Sequence, residues 1–409
     1  MYDLLKDMTI VEGASFIAGP SCALHLLQMG ADVIRFDAIG GGPDYRRWPL
    51  APGGASLYWE GLNKGKRSIA IDLRRPEGRE LAVALITAPG EGRGYFVTNY
   101  PADGFLAHEK LARRRPDLIT LRVMGWPDGR NGVDYTINAA VGIPLMTGSA
   151  EDSADAPVNS MLPAWDLTTG AYGAFALLAG DRRRRETGRG AEIRLALSDV
   201  AASVLGHFGQ IAETLTSGDR PKYGNSVFGA FGRDFATRDR SRIMLVAITA
   251  RQWSALVRAL DLGVKVGALE AELGISFATD EGLRFLHRDR LCLLVERVVA
   301  GLTLNEVAER LEREGTCWEP YRSLGAAIAE DPRLVGCNEL FEPVRHPSGL
   351  CYPTPGSMAK LRGEPRARPP TAPKLGEHTD EILADFLGLA SHEVGRLHDC
   401  GLVAGPAQE

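Results

Sequence analysis

Thr9-Ile-Val-Glu-Gly13-Ala-Ser-Phe-Ile-Ala-Gly-Pro20 decides the fold. A short apolar strand runs into a glycine-led loop, the loop opens a helix through Met29, and Asp32-Val-Ile-Arg-Phe36 follows as a second apolar run. Strand, loop, helix and strand in that order start a βαβ unit, whose crossover helix returns the second strand parallel to the first. Pro20 fits the first helical turn, where no amide donor is needed, and Gly30 fits the C-terminal cap, which favours a left-handed residue. Outward from this start, Arg67-Ser-Ile-Ala-Ile-Asp-Leu73, Gly94-Tyr-Phe-Val-Thr-Asn99, Asp117-Leu-Ile-Thr-Leu-Arg-Val123 and Ala191-Glu-Ile-Arg-Leu-Ala-Leu197 repeat the pattern, with helical stretches between them. The class is therefore α/β, with a Rossmann-like, doubly wound parallel sheet. The first loop is no dinucleotide fingerprint, because it lacks Gly-x-Gly-x-x-Gly, so a nicotinamide cofactor is not expected.

A chain of 409 residues has material for two or three domains. The expected division is a large Rossmann-like domain over 1–215, a smaller α+β domain over 216–325, and a return to the large domain over 326–409. The shift is marked by the glycine-spaced loop Gly224-Asn-Ser-Val-Phe-Gly-Ala-Phe-Gly232, a candidate lid or a plain inter-domain turn, and by the strand Arg242-Ile-Met-Leu-Val-Ala-Ile248. Phe341 to Leu361 alternates like paired strands. A net charge of -5 gives no general attraction for nucleic acid or anionic lipid. The six cysteines are scattered, without a Cys-x-x-Cys pair or clustered histidines, so no metal site is expected. No signal peptide or long apolar run is present, and a soluble, cytoplasmic protein is expected.

The candidate chemistry lies in Met161-Leu-Pro-Ala-Trp-Asp166-Leu-Thr-Thr-Gly170, where a proline-led loop becomes a helix expected over Leu167 to Leu178. Asp166 has two readings there. As an N-cap, its oxygens would accept the first helical amides. As a nucleophile, its pKa would be lowered by the helix N-terminus, with amide donors facing any oxyanion formed beside it. The run Asp181-Arg-Arg-Arg-Arg-Glu-Thr-Gly-Arg-Gly190 reads as a solvated helix end, with phosphate binding as the alternative.

Ala18-Gly19-Pro20, Gly30-Ala-Asp-Val-Ile34, Asn63-Lys-Gly-Lys-Arg-Ser68 with Asp72-Leu73, Asn99, Thr187-Gly-Arg-Gly190 and Leu375-Gly-Glu-His-Thr379 fall in the order and spacing of one family. Over nearly its whole length the chain resembles the type III CoA-transferases. The resemblance implies that Asp166 is the nucleophile of a thioester exchange, passing through an acyl-aspartyl anhydride and an aspartyl-CoA thioester. It implies coenzyme A contacts at Ala18, Asp72, Leu73, Asn99 and Tyr100, no metal or redox cofactor beyond coenzyme A as part of the substrate, and an interlocked homodimer. Asn99 and Asp72 also read as ordinary strand-end turn residues. The racemases of the family resemble Gly-His-Asp where this chain has Gly132-Val133-Asp134, which disfavours proton shuttling at an α-carbon. Ala38 and Ala107 stand about where other members have arginines, so adenine-end contacts do not carry over there.

Longer segments, among them Asp37-Ala-Ile-Gly-Gly-Gly-Pro-Asp-Tyr-Arg-Arg-Trp-Pro49 and Val133-Asp-Tyr-Thr-Ile-Asn138, resemble the branch that moves CoA between the two carboxyl groups of one dicarboxylate. That implies mesaconyl-CoA as substrate, transfer from C1 to C4, and a hydroxypropionate-type cycle as setting. Arg46, Arg47, Tyr135, Asn138 and Arg233 are candidates to hold the free carboxylate, since arginine forks match carboxylates and the others donate hydrogen bonds. The alternatives are intermolecular transfer to a free dicarboxylic acid, and a non-catalytic acyl-CoA-binding protein.

Overall fold

The fold is given by a computed structural model, which describes residues 1–406. The last three residues of the expected 326–409 segment lie outside the described residues. The chain divides into two compact units, one of Met1–Val141, Ser160–Glu213 and Pro332 onward, the other of Gly142–Asn159 and Thr214–Asp331. The sequence reading assigns 142–159 to the large domain. In the structure Lys222 Nζ donates to Ser153 O at 2.8 Å and to Ala156 O, which groups that stretch with the second unit.

The first unit alternates strands and helices: β1 (Thr9–Gly13), α1 (Ala18–Gln28), β2 (Asp32–Ala38), α2 (Leu57–Asn63), β3 (Arg67–Ile71), α3 (Pro76–Thr87), β4 (Tyr95–Thr98), α4 (His108–Arg114), β5 (Ile119–Met124) and α5 (Asp134–Ala140). After α6 (Ile143–Met146), in the second unit, come α7 (Ala164–Thr187), β6 (Ala191–Ala196) and α8 (Leu197–His207). Alternate residues of each strand enter opposite cores, which explains the continuous apolar runs. Val11, Ile34, Phe36 and Phe96 pack on one face of the sheet, and Ile10, Val33, Tyr95 and Val97 on the other, with Leu26 of α1 and Leu177 of α7.

The second unit holds α9 (Gln210–Ser217) in part and an antiparallel sheet of β7 (Phe231–Ala236), β8 (Arg242–Ala247) and β9 (Cys317–Pro320). Its core gathers Phe231, Phe235, Leu245, Trp253 and Phe277. The hairpin β10 (Phe341–Arg345) and β11 (Cys351–Pro355) belongs to the first unit, as does β12 (Val403–Ala404). With β12 antiparallel at one edge, the main sheet runs β12-β3-β2-β1-β4-β5-β6, and its other neighbouring strands are parallel. The order reverses between β1 and β4, and in such sheets the crevice at the carboxyl ends of those two strands is the place for a ligand.

Helix α7 is longer than the sequence reading because the arginine run is itself helical. Its arginines are engaged locally: Arg185 Nε pairs with Asp181 Oδ2 at 2.7 Å, Arg184 Nη2 with Asp181 Oδ1 at 3.2 Å, and Arg182 Nε with Glu186 Oε1 at 3.4 Å. Arg182, Arg183 and Arg185 are exposed and fit the solvated helix end, whereas Asp181 is buried, accepting from the Tyr95 hydroxyl at 2.6 Å, and Arg184 is turned inward, donating to Arg93 O at 3.0 Å. The tight join of α7 to α1 explains its small residues. A Cβ on Gly170 would come within 2.0 Å of Ser21 Oγ, and one on Gly173 within 3.3 Å of Cys22 Sγ on α1 and 2.9 Å of Leu121 Cδ2 on β5. One turn before Gly170, this contact sets Asp166 beside the start of α1. No helix of the described residues is long and apolar enough to cross a membrane.

Candidate active site

A cavity of about 760 Å³ opens at the switch point, entirely within the first unit. The loop after β1 supplies Ser15, Phe16 and Ile17, the loop after β4 supplies Asn99 and Tyr100, and Val123 to Gly125 end β5. Asp166, Arg47, Tyr58 and Tyr135 complete the wall around the reactive end. The side chain of Asn99 clamps the β1 loop: its Oδ1 accepts from Ser15 N at 3.1 Å and its Nδ2 donates to Ser15 O at 3.0 Å. The first turn of α1 begins at Ala18 on the cavity wall without a side-chain cap, so its partial positive charge faces the cavity.

Asp166 does not cap α7. The helix starts at Ala164, which makes Asp166 its third residue, and the capping acceptor comes from elsewhere. Asp134, buried at the start of α5, accepts from Trp165 N at 2.7 Å and from Asp166 N at 2.9 Å through the same Oδ2. The carboxylate of Asp166 is thereby released from the backbone and turned to the cavity.

The same arrangement overturns the lowered pKa that a helix N-terminus suggested. Burial raises the Asp166 carboxyl from its ordinary 3.8 to about 7, repulsion from Asp134 adds to the rise, and Arg47 opposes it. The terminal amides that would have stabilised Asp166 are already bonded to a second anion. At neutral pH the carboxyl is poised between its two forms, a condition suited to a group that must be anionic for attack yet reactive once acylated.

Arg47, Tyr135, Ala18, Asn99 and Tyr100 line the cavity with Asp166. Arg46 is exposed on the same segment. Asn138 is buried and accepts from Trp165 Nε1 at 3.1 Å, a role in packing α5 against α7. Arg233 lies on β7 of the second unit. Asp72 and Leu73 follow β3, two strands from β1 on the same carboxyl edge; Asp72 accepts from Arg74 Nε at 2.8 Å, and Leu73 packs on the apolar core.

Sequence reasoning missed Tyr58, Asp134 and Phe16. The buried hydroxyl of Tyr58 has no hydrogen-bond partner among the described residues, and burial raises its pKa. Only the aromatic pair Tyr58-Trp59 behind the N-cap Ser56 hinted at a buried helix end there. Asp134 was legible as part of a motif but not as the cap of a helix thirty residues later.

The profile of CoA-transferase family III matches residues 5–379. The chain is 48% identical over 408 residues to a 2-methylfumaryl-CoA isomerase of Chloroflexus aurantiacus, covering 99% of each. It is 27% identical to the succinyl-CoA--L-malate CoA-transferase beta subunit of the same organism, over 96% of each chain. Among solved structures, a CAIB/BAIF family protein from Brucella suis superposes with a TM-score of 0.75 at 25% identity, over 94% of this chain and 100% of that one. With a profile match over most of its length and a full-length relative at this identity, the chain belongs to CoA-transferase family III.

Proposed function

We propose that this enzyme moves coenzyme A within one molecule, from the C1 to the C4 carboxyl group of 2-methylfumaryl-CoA (mesaconyl-CoA). The observation that carries the reading is the Asp166 carboxylate, which caps no helix and faces a cavity that also presents the Arg47 cation, in a chain 48% identical to an isomerase of that name. An Asp166 oxygen attacks the C1 thioester carbonyl, the C–S bond breaks, and CoA leaves as a thiolate beside an acyl-aspartyl anhydride. The thiolate attacks the aspartyl carbonyl, releasing the C1 carboxylate and leaving an aspartyl-CoA thioester. The dicarboxylate turns, its C4 carboxylate attacks the thioester, and the thiolate opens the second anhydride at C4 to regenerate Asp166. No water is consumed and no redox or metal cofactor is needed.

The uncapped start of α1 borders the tetrahedral oxyanions and can stabilise them. Arg47 holds whichever carboxylate is free. Retaining the dicarboxylate exploits proximity, which in well-oriented intramolecular reactions reaches effective molarities of about 10^5 M or more. Transfer to a free acid from solution is the disfavoured alternative. The family's homodimer is part of the same proposal; it is supported by the apolar surface of α7, where Tyr172 and Phe175 are 53% and 63% exposed. Turnover of mesaconyl-C1-CoA with carbon-labelled free mesaconate, followed by mass spectrometry, tests the reading. Unlabelled C4 isomer is expected, and label in the product would replace it with intermolecular transfer.

A further inference from the structure

Phe16 has a backbone φ of +72°. A side chain bearing a Cβ is strained in that left-handed region, and such a conformation persists only where its surroundings impose it. Here Asp44 imposes it: Asp44 Oδ2 accepts from Phe16 N at 3.1 Å. Asp44 is itself buried and bonded. It is 1% exposed, and Arg35 Nη2 donates to its two oxygens at 2.9 and 3.0 Å. The rest of the Arg35 fork is taken by Asp37 at 2.8 and 2.9 Å, by Glu12 at 3.2 Å and by Asn63 Oδ1 at 3.0 Å. A buried network this fully bonded is a rigid base for the loop above it.

The loop supports one cation. Arg47 Cζ lies 5.5 Å from the centroid of the Phe16 ring and 5.5 Å from that of Tyr58. Its main-chain oxygen accepts from Ser56 Oγ at 2.5 Å. Its guanidinium has no ion pair among the described residues, although it borders the cavity and acts on Asp166. Aromatic faces orient a guanidinium without satisfying its hydrogen bonds, which leaves the fork open to an incoming carboxylate.

We propose that Asp44 is a positioning residue for substrate recognition: it locks Phe16 in the left-handed conformation, and the Phe16 ring then fixes Arg47 to receive the free carboxylate of a dicarboxylyl thioester. This rests on the reading that Arg47 binds that carboxylate. In Asp44→Asn the one remaining oxygen stays with Arg35, and the amide group meets Phe16 N as donor against donor. The lock is lost while the volume is kept. Phe16→Gly removes the ring and the strain together and needs no buried change, so it remains informative if Asp44→Asn fails to fold.

The test is a double-mutant cycle on mesaconyl-C1-CoA isomerisation with Arg47→Met, reading KM and kcat separately. Asp44→Asn and Phe16→Gly should each raise KM about tenfold, the scale of one charged hydrogen bond, with kcat changed much less. In the Arg47→Met background neither should raise KM further. If the effects multiply in full in that background, or if kcat falls at constant KM, Asp44 does not act through Arg47 and the proposal is overturned. If Arg47→Met alone keeps the wild-type KM, the underlying reading of Arg47 fails and the proposal fails with it, a result distinct from full multiplication.

Discussion

Asp166→Asn should stabilise the protein, and by more at high pH than at low pH. The folded carboxyl is raised from 3.8 to about 7 by burial and by Asp134. For an acid whose folded pKa is raised, the sign runs against stability. Above 3.8 the unfolded chain gives up its proton while the folded chain still holds it, so folding becomes less favourable until the pH passes about 7. Between pH 5 and pH 8 about two pKa units of this penalty develop, a ceiling of about 3 kcal/mol. Water at the cavity mouth screens the site and brings the expectation to about 1.5 kcal/mol.

Asparagine keeps the shape and removes the charge, together with the repulsion from Asp134. Thermal unfolding of the wild type and the variant, at one scan rate and at both pH values, measures the effect as a difference of differences. That design cancels whatever the new amide does in its own right. At roughly 1–2 °C per kcal/mol for a chain this long, the Tm advantage of the variant should be about 2 °C larger at pH 8 than at pH 5. An advantage that is independent of pH, or that shrinks as pH rises, would falsify the assignment of a desolvated, repelled carboxylate to position 166. Loss of turnover in the same variant would show that this destabilising charge is the one the reaction uses, a stability cost located at the active site.

The remaining predictions concern the groups around it. Asp134→Asn keeps a capping oxygen, since asparagine caps about as well as aspartate, but removes the like charge. The acidic limb of kcat/KM should then move to lower pH by about one unit, because the anionic nucleophile persists to lower pH, and an unmoved limb would detach Asp134 from Asp166. Gly170→Ala forces a methyl to within 2.0 Å of Ser21 Oγ, and its overpacking should cost about 1–3 kcal/mol in denaturant unfolding; an unchanged midpoint would mean that α1 and α7 can separate freely. Hydroxylamine added during turnover should convert Asp166 to its hydroxamate, detected by peptide mass spectrometry. A clean Asp166 peptide from active enzyme would remove the covalent intermediates.

Much of the architecture was legible from local pattern. The runs at Thr9 to Val11, Asp32 to Phe36 and Asp117 to Val123 appear as strands β1, β2 and β5, because a strand buried on both faces favours apolar residues, while the polar side chains that it does bury, such as Arg35 and Arg122, are held by hydrogen bonds. Gly30, at a φ of +111°, ends α1 as its chemistry suggested. The edge strand β12 was not legible, since two residues carry no period, and the helix expected to stop at Leu178 continues through the arginine run to Thr187.

For the candidate site, the sequence by itself determined which side chains could do chemistry: a carboxylate at a helix start, arginines and a tyrosine in segments of family character, and a glycine-marked helix able to pack closely. Only the tertiary structure decided their states and groupings. It brought Asp134 to cap α7, buried the Tyr58 hydroxyl beside Asp166, held Phe16 on Asp44, and kept Asn138 for Trp165. The physical reason is that a helix, a strand or a cap depends on neighbours in the chain, whereas desolvation, charge repulsion and cation–ring contacts are sums over neighbours in space. Those neighbours are chosen by the order of strands at the switch point.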